Sequence, residues 1–329
     1  MSINRNDNVD SLKFWLMILV IVGHVFAQGQ FYETPGCTVV WNWIYMFHMP
    51  LFIFISGYFS RKKDNKHFIT SCWKLIEPLL VFQIIIRGFL FIASGTISIT
   101  DIFTPWWVLW YLLSLLYYRI ILQVLPEKYL EHTRFIIIST FIISFIAGFL
   151  PLNRFLSIQR TLAFLPFFFL GYYMRGKNLF IASKYRIWSG LFLILTTALP
   201  IFFSKYLGDL YQADPYVNPL FVCCRIFVFG CSVPMSIAFI NLCPNTTWTA
   251  KQGRMTMQYY IYHAFFIYIL MNVVTRFGFP TTFLSAVMYT LLILISLVVL
   301  LKSHFIQKLT NPSSLLNGSP RKRRSSNLI

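Results

Sequence analysis

Apolar residues run in stretches of about twenty along most of the chain, broken by short polar or basic segments, and that is the length an α-helix needs to cross bilayer hydrocarbon. The pattern predicts ten helices, at 11–28, 38–59, 73–92, 106–124, 134–150, 159–174, 187–203, 219–242, 256–274 and 281–301. Pro50, Pro78, Pro166 and Pro234 fall inside these runs, a placement that a bundle tolerates where neighbouring groups satisfy the freed carbonyls. No internal repeat is visible and no soluble domain fits before residue 302. Residues 1–301 therefore read as one transmembrane domain and 302–329 as a basic, disordered cytoplasmic tail containing Arg-Lys-Arg-Arg at 321–324.

Composition fixes the class. Of 329 residues, 57% are hydrophobic and only 12% charged, so the fold class is all-α, a polytopic transmembrane helix bundle. The net charge of +18 would suit nucleic acid, but the cations crowd into short loops and the tail, where membrane topology explains them. Segments 61–66 and 175–186 carry four Lys/Arg each, whereas 28–37 and 93–105 carry none. Both termini are expected in the cytoplasm of a multi-pass protein of the cell inner (plasma) membrane, and ten spans give that parity. The connection 151–160 breaks the rule with Arg154 and Arg160, which either cap a helix or face a substrate. Six cysteines show no CxxC spacing and no partnering histidine cluster, so neither a metal site nor a disulfide framework is expected. The first apolar run has acids in its short polar lead and no small-x-small cleavage site. It reads as a retained span.

The chemistry concentrates on that first run. Lys13 and His24 are eleven positions apart, which places them about 20° from alignment and about 16 Å apart along a helix. Asp10 falls about 40° to the other side, about 21 Å from His24. One helix stripe thus carries an acid and a base near one end and an imidazole near the other. Ionisable groups within a bilayer are costly and point by default to a substrate, ion or proton path. His24 follows Gly23, which lets another helix or a substrate approach; the imidazole is either a general base or a group bonded to a neighbouring helix. His48, in Phe-His-Met-Pro, would lie near mid-membrane where it could meet His24, or serve only in packing. Lys74 either pairs with Glu77 three residues on or meets an anionic ligand from the cytoplasm.

Five segments, VDSLKFWLMILVIVGH, WIYMFHMPLFIFISGYFSRK, LWYLLSLLYYR, LPFFFLGYYMRGK and GRMTMQYYIYHAFFI, resemble, in this order, signatures of the acyltransferase-3 family, and within it the branch related to fucose 4-O-acetylases. The resemblance implies an integral-membrane O-acyltransferase that moves an acyl group, most often acetyl, from cytoplasmic acyl-CoA to a hydroxyl of an envelope carbohydrate or lipid-linked sugar. Acetyl-CoA is then a substrate, and no permanently bound cofactor is implied. The basic-x10-His element falls on Lys13 and His24, the early acid on Asp10, and the Phe-His-Met-Pro segment on Phe47 to Pro50. The Trp-Phe-Leu-like element is Trp110-Tyr111-Leu112, and the late Tyr-x-x-His element is Tyr260 and His263. The expected catalytic residues are His24, Asp10 and His48; Lys13 and Lys74 hold the donor; Trp110, Tyr111 and His263 meet the acceptor. The chain departs from the family where relatives carry two arginines three apart, for Ser71 and Lys74 stand there. The rival reading is a transporter or flippase of a lipid-linked sugar or polysaccharide, which would move substrate without consuming acyl-CoA.

Overall fold

In the computed structural model, residues 7–96, 98–152, 154–180, 183–207, 215–303, 306 and 310 are described; the tail motif at 321–324 lies outside them. The elements are α1 (Asp7–Phe26), α2 (Pro35–Tyr45), α3 (His48–Tyr58), α4 (Asn65–Ser94), α5 (Ile99–Phe103), α6 (Trp110–Val124), α7 (Glu127–Leu130), α8 (Thr133–Ala147), α9 (Ile158–Tyr173), α10 (Arg186–Thr196), α11 (Ala198–Leu207), α12 (Phe221–Leu242), α13 (Thr247–Gly253), α14 (Thr256–Phe277) and α15 (Phe283–Leu300). No strand occurs among the described residues. Among the described residues the molecule is an all-helical bundle with nine segments long and apolar enough to cross a membrane.

These nine match nine of the ten predicted spans. The tenth, at 134–150, is α8, whose 15 residues extend only about 22 Å. Two predicted spans are broken helices. The run at 38–59 divides into α2 and α3 around Met46 and Phe47, and Pro50 sits in the first turn of α3, where a missing N–H costs little. The run at 187–203 divides into α10 and α11 at Thr197. Helix α4 begins at Asn65 rather than 73, because Asp64 caps it by accepting from the His67 backbone N–H at 3.1 Å.

Helix α1 sits against α2, α3, α13, α14 and α15, and most of its side chains are buried. Glycines set the closest approaches. A Cβ on Gly57 would lie 1.9 Å from the Phe168 carbonyl oxygen, and one on Gly171 1.9 Å from that of Phe54, so α3 and α9 touch backbone to backbone. Gly253 likewise lets α13 reach the Asp10 carbonyl.

The bundle has two unlike ends. At one, the start of α1 meets α13 through Arg254 and Asp7 at 2.6 Å, and Tyr262 near the start of α14 donates to the Ile306 carbonyl at 3.1 Å. The 61–64 loop docks there on the end of α6, with Lys63 and Gln123 exchanging hydrogen bonds of 3.2 and 2.8 Å. At the other end, Gln30 accepts from Thr281 at 2.8 Å and Gly148 from Tyr216 at 2.7 Å. Helix α1 therefore starts, and α15 finishes, at the same end, the one bearing Arg61, Lys62 and Lys63.

Candidate active site

His24 lies near the far end of α1, half-buried, and opens into a cavity of about 1120 Å³ at the end away from the basic loop. Tyr45, His48, Trp106, Trp107, Trp110 and Arg160 join it in the lining. Gly23 makes one neighbour possible. A Cβ there would come 3.0 Å from Tyr45 Cε2, and Tyr45 uses that space to bring its hydroxyl to 3.1 Å from His24 Nδ1. The His24 ring also stacks on His263 at 5.4 Å and meets the edge of Trp107 at 4.9 Å. Trp107 has a left-handed φ of 35°, a strained state for a bulky residue that tends to mark functional sites.

The other two histidines have their tautomers set by carbonyls, which only accept. His48 donates from Nδ1 to the Ile44 carbonyl at 2.8 Å, beside the α2–α3 break, and His263 from Nδ1 to the Tyr259 carbonyl at 3.0 Å. In each neutral ring Nε2 therefore keeps its lone pair. His263 Nε2 is buried and makes no hydrogen bond among the described groups.

Two polar side chains of α4 shape the rim. Gln83 accepts from the Trp106 backbone N–H at 2.8 Å and donates to the Thr104 carbonyl at 3.0 Å. Arg87 donates to the same carbonyl at 2.9 Å and pairs with Asp101 at 3.0 Å. Hydrogen bonds from Ser98, and then the Arg87 charge, hold the Asp101 carboxyl below the usual carboxylate range. Across the cavity the chain enters α9 through two left-handed residues, Leu156 (φ 45°) and Ser157 (φ 55°), each costing roughly 1–2 kcal/mol. Arg160 follows one turn into α9, buried, with its guanidinium 5.4 Å from the centre of the Trp110 ring.

A second pocket of about 320 Å³ opens at the basic end, lined by Lys13, Arg61, Lys63 and Arg119 with Ser56, Ser60, Ser71 and Gln123. No acid lines it among the described residues. Burial, then the charges of Arg119, Arg61 and Lys74, push the Lys63 amine below its ordinary value. Between the two pockets stands an aromatic wall. Ser56 and Tyr111 share a hydrogen bond of 2.7 Å, Tyr111 packs on Tyr260 at 5.3 Å, and Tyr260 on His263 at 6.0 Å.

Set against the sequence expectations, the structure brings His24, His48 and Trp110 to the large cavity and stacks His263 on His24. Tyr111 stands in the wall rather than the lining. Asp10 is at the opposite end from His24, accepting from Lys13 at 2.7 Å with Arg254 at 3.6 Å. Lys74 is exposed and does not line the basic pocket, because the face of α4 turned inward there presents Ser71. Arg154 and Arg160 both line the cavity. Gln83, Arg87, Tyr45 and Arg119 went unnoticed in the sequence. An arginine inside an apolar run was the available signal for Arg87 and Arg119.

Comparison with known proteins gives the family. Residues 6–302 match the acyltransferase-3 family, described as an acyltransferase domain. The chain belongs to that family. Among curated relatives, it is 37% identical over 87 residues to the nodulation protein NolL of Mesorhizobium japonicum, covering 23% of this chain and 22% of that one. It is 41% identical over 59 residues to NolL of Sinorhizobium fredii, covering 17% and 16%. The matched parts thus span about a fifth of those relatives. No solved structure matches.

Proposed function

We propose that this membrane acyltransferase moves an acyl group, most often acetyl, from acyl-CoA on the cytoplasmic side to a hydroxyl of an envelope carbohydrate, as in the fucose 4-O-acetylase-like branch that its motifs resemble. His24 is the general base. The observation that carries the reading is the His24 imidazole, open to the large cavity and stacked on His263, on the same helix whose other end places Lys13 in a basic pocket.

The basic end faces the cytoplasm, since Lys and Arg are retained on that side, and the plasma membrane is where acyl-CoA and envelope glycans meet across one bilayer. The tail from residue 302 then lies in the cytoplasm beside anionic lipid. The donor enters the basic pocket, where Asp10 holds Lys13, and its thioester extends past Ser56 and Tyr111 toward His263. The acceptor enters the large cavity, where Trp106, Trp107 and Trp110 offer flat apolar faces to sugar rings. His24 removes the hydroxyl proton, the oxygen attacks the thioester carbonyl, the thiolate leaves, and the proton passes from His24 to the sulfur. His48 and His263, each with an Nε2 lone pair, position the acceptor.

Membranes containing the full chain, given acetyl-CoA and an envelope glycan extract, should release free thiol only when both are present. His24→Ala, with insertion and abundance unchanged, should lower that release by at least about 100-fold. Turnover near the native rate would remove His24 as the base, and a transporter would release no thiol at all.

A further inference from the structure

The basic pocket leaves a question of how this chain would hold a donor's phosphates. Its answer comes from another helix. Arg119, on α6, reaches across to α4 and donates from Nη1 to the Ser71 carbonyl. There it lines the basic pocket with Arg61 and Lys63. The loop that carries these two is fixed in place. Lys62 donates to the Leu125 carbonyl at the end of α6, and the Lys63 backbone N–H and carbonyl are both held by Gln123.

Nearby acids do not answer these charges. Asp10 is engaged by Lys13 and Arg254, and Asp64 by His67 at 2.6 Å. Three cations held together by packing, with no acid in the lining, repel one another until a multivalent anion arrives. Burial first, and then the Arg119 and Arg61 charges, lower the Lys63 amine.

We propose that Arg119, Arg61 and Lys63 form a phosphate clamp for the nucleotide end of the acyl donor, with Arg119 supplying its guanidinium from α6 and Lys74 standing outside the clamp. This rests on the reading of an acyl-CoA donor. Arginine's planar fork suits a phosphate better than lysine's point charge. The flexible arm of a donor held here would point inward, toward the Ser56–Tyr111 pair at the closed end of the pocket.

The test is coenzyme A binding by calorimetry to the full chain in phosphatidylcholine nanodiscs. Arg119→Ala and Lys63→Ala should each weaken binding by about 10- to 100-fold, the worth of a charge-assisted hydrogen bond. Arg119→Lys should fall between native and Arg119→Ala, Lys74→Ala should stay within about twofold of native, and 3′-dephospho-CoA should bind more weakly than CoA to the native chain. Should Arg119→Ala lower the melting temperature, Arg119→Lys and Lys63→Ala carry the comparison. Loss of binding in Lys74→Ala with none in Arg119→Lys or Lys63→Ala would overturn the clamp and leave the donor reading standing. No binding of CoA to the native chain would remove the donor reading itself. An Arg119-dependent rise in melting temperature seen only in anionic-lipid nanodiscs, without CoA binding, would make the site one for lipid headgroups and overturn the clamp.

Discussion

At the residue scale the site turns on how one imidazole is held. The Tyr45 hydroxyl at His24 Nδ1 fixes the ring and decides which nitrogen faces the cavity. Tyr45→Phe keeps the ring packing against His48 at 4.7 Å and removes the hydroxyl that meets His24. We expect kcat to fall about fivefold with KM little changed, since one hydrogen bond is worth about 1 kcal/mol; a rise in KM alone would mean that Tyr45 contacts the acceptor instead. Much of this residue-level picture was legible in the sequence. The eleven-residue spacing put Lys13 and His24 on one stripe, and an intramembrane histidine beside a glycine marked the place where another ring approaches. What Gly23 admits, a tyrosine from the next helix, depends on the α2–α3 break, and nothing in a linear pattern locates a neighbour across a bundle. For the same reason Arg119 was invisible as a partner of position 71.

At the scale of elements, two joints hold the cavity. The α3–α9 contact runs through Gly57 and Gly171, where an added methyl would overlap a carbonyl oxygen. Gly57→Ala should cost about 1–3 kcal/mol and lower the melting temperature in detergent, while Gly88→Ala, with open space around it, should not. Equal effects would show that the close approach does not matter. The second joint is the α4 staple on the loop that carries Trp106 and Trp107. With Asp101 held below its usual carboxylate range, the Arg87–Asp101 pair is fully present above the unfolded pKa near ~3.9 and is lost as pH falls through the lower folded value. Activity at neutral pH should therefore be insensitive to this pair's titration, whereas Asp101→Asn should raise the acceptor KM at neutral pH. A KM that rises in the native chain between pH 7 and 5 would contradict the assignment. Helix positions were well predicted because apolar runs are long, but breaks at Met46–Phe47 and Thr197 carry no proline or glycine at the break itself, so hydropathy read straight through them.

For the whole molecule, the account requires a chain with two unlike mouths on opposite faces of one membrane. Both the start of α1 and the finish of α15 lie at the basic end, and the large cavity opens at the other. In a cysteine-free background, a cysteine at Gln30 should react with a membrane-impermeant maleimide in intact cells, and one at Lys62 only after permeabilisation; the reverse pattern would invert the orientation. The bundle architecture followed from composition alone, whereas the two pockets and the aromatic wall between them arise from helices distant in sequence. The most direct measurement of the central claim is mass spectrometry of envelope glycans from cells carrying the native chain, the His24→Ala chain, or neither. An ester-linked acyl mass present only with the native chain is the predicted result, and the same mass persisting with His24→Ala would contradict the account.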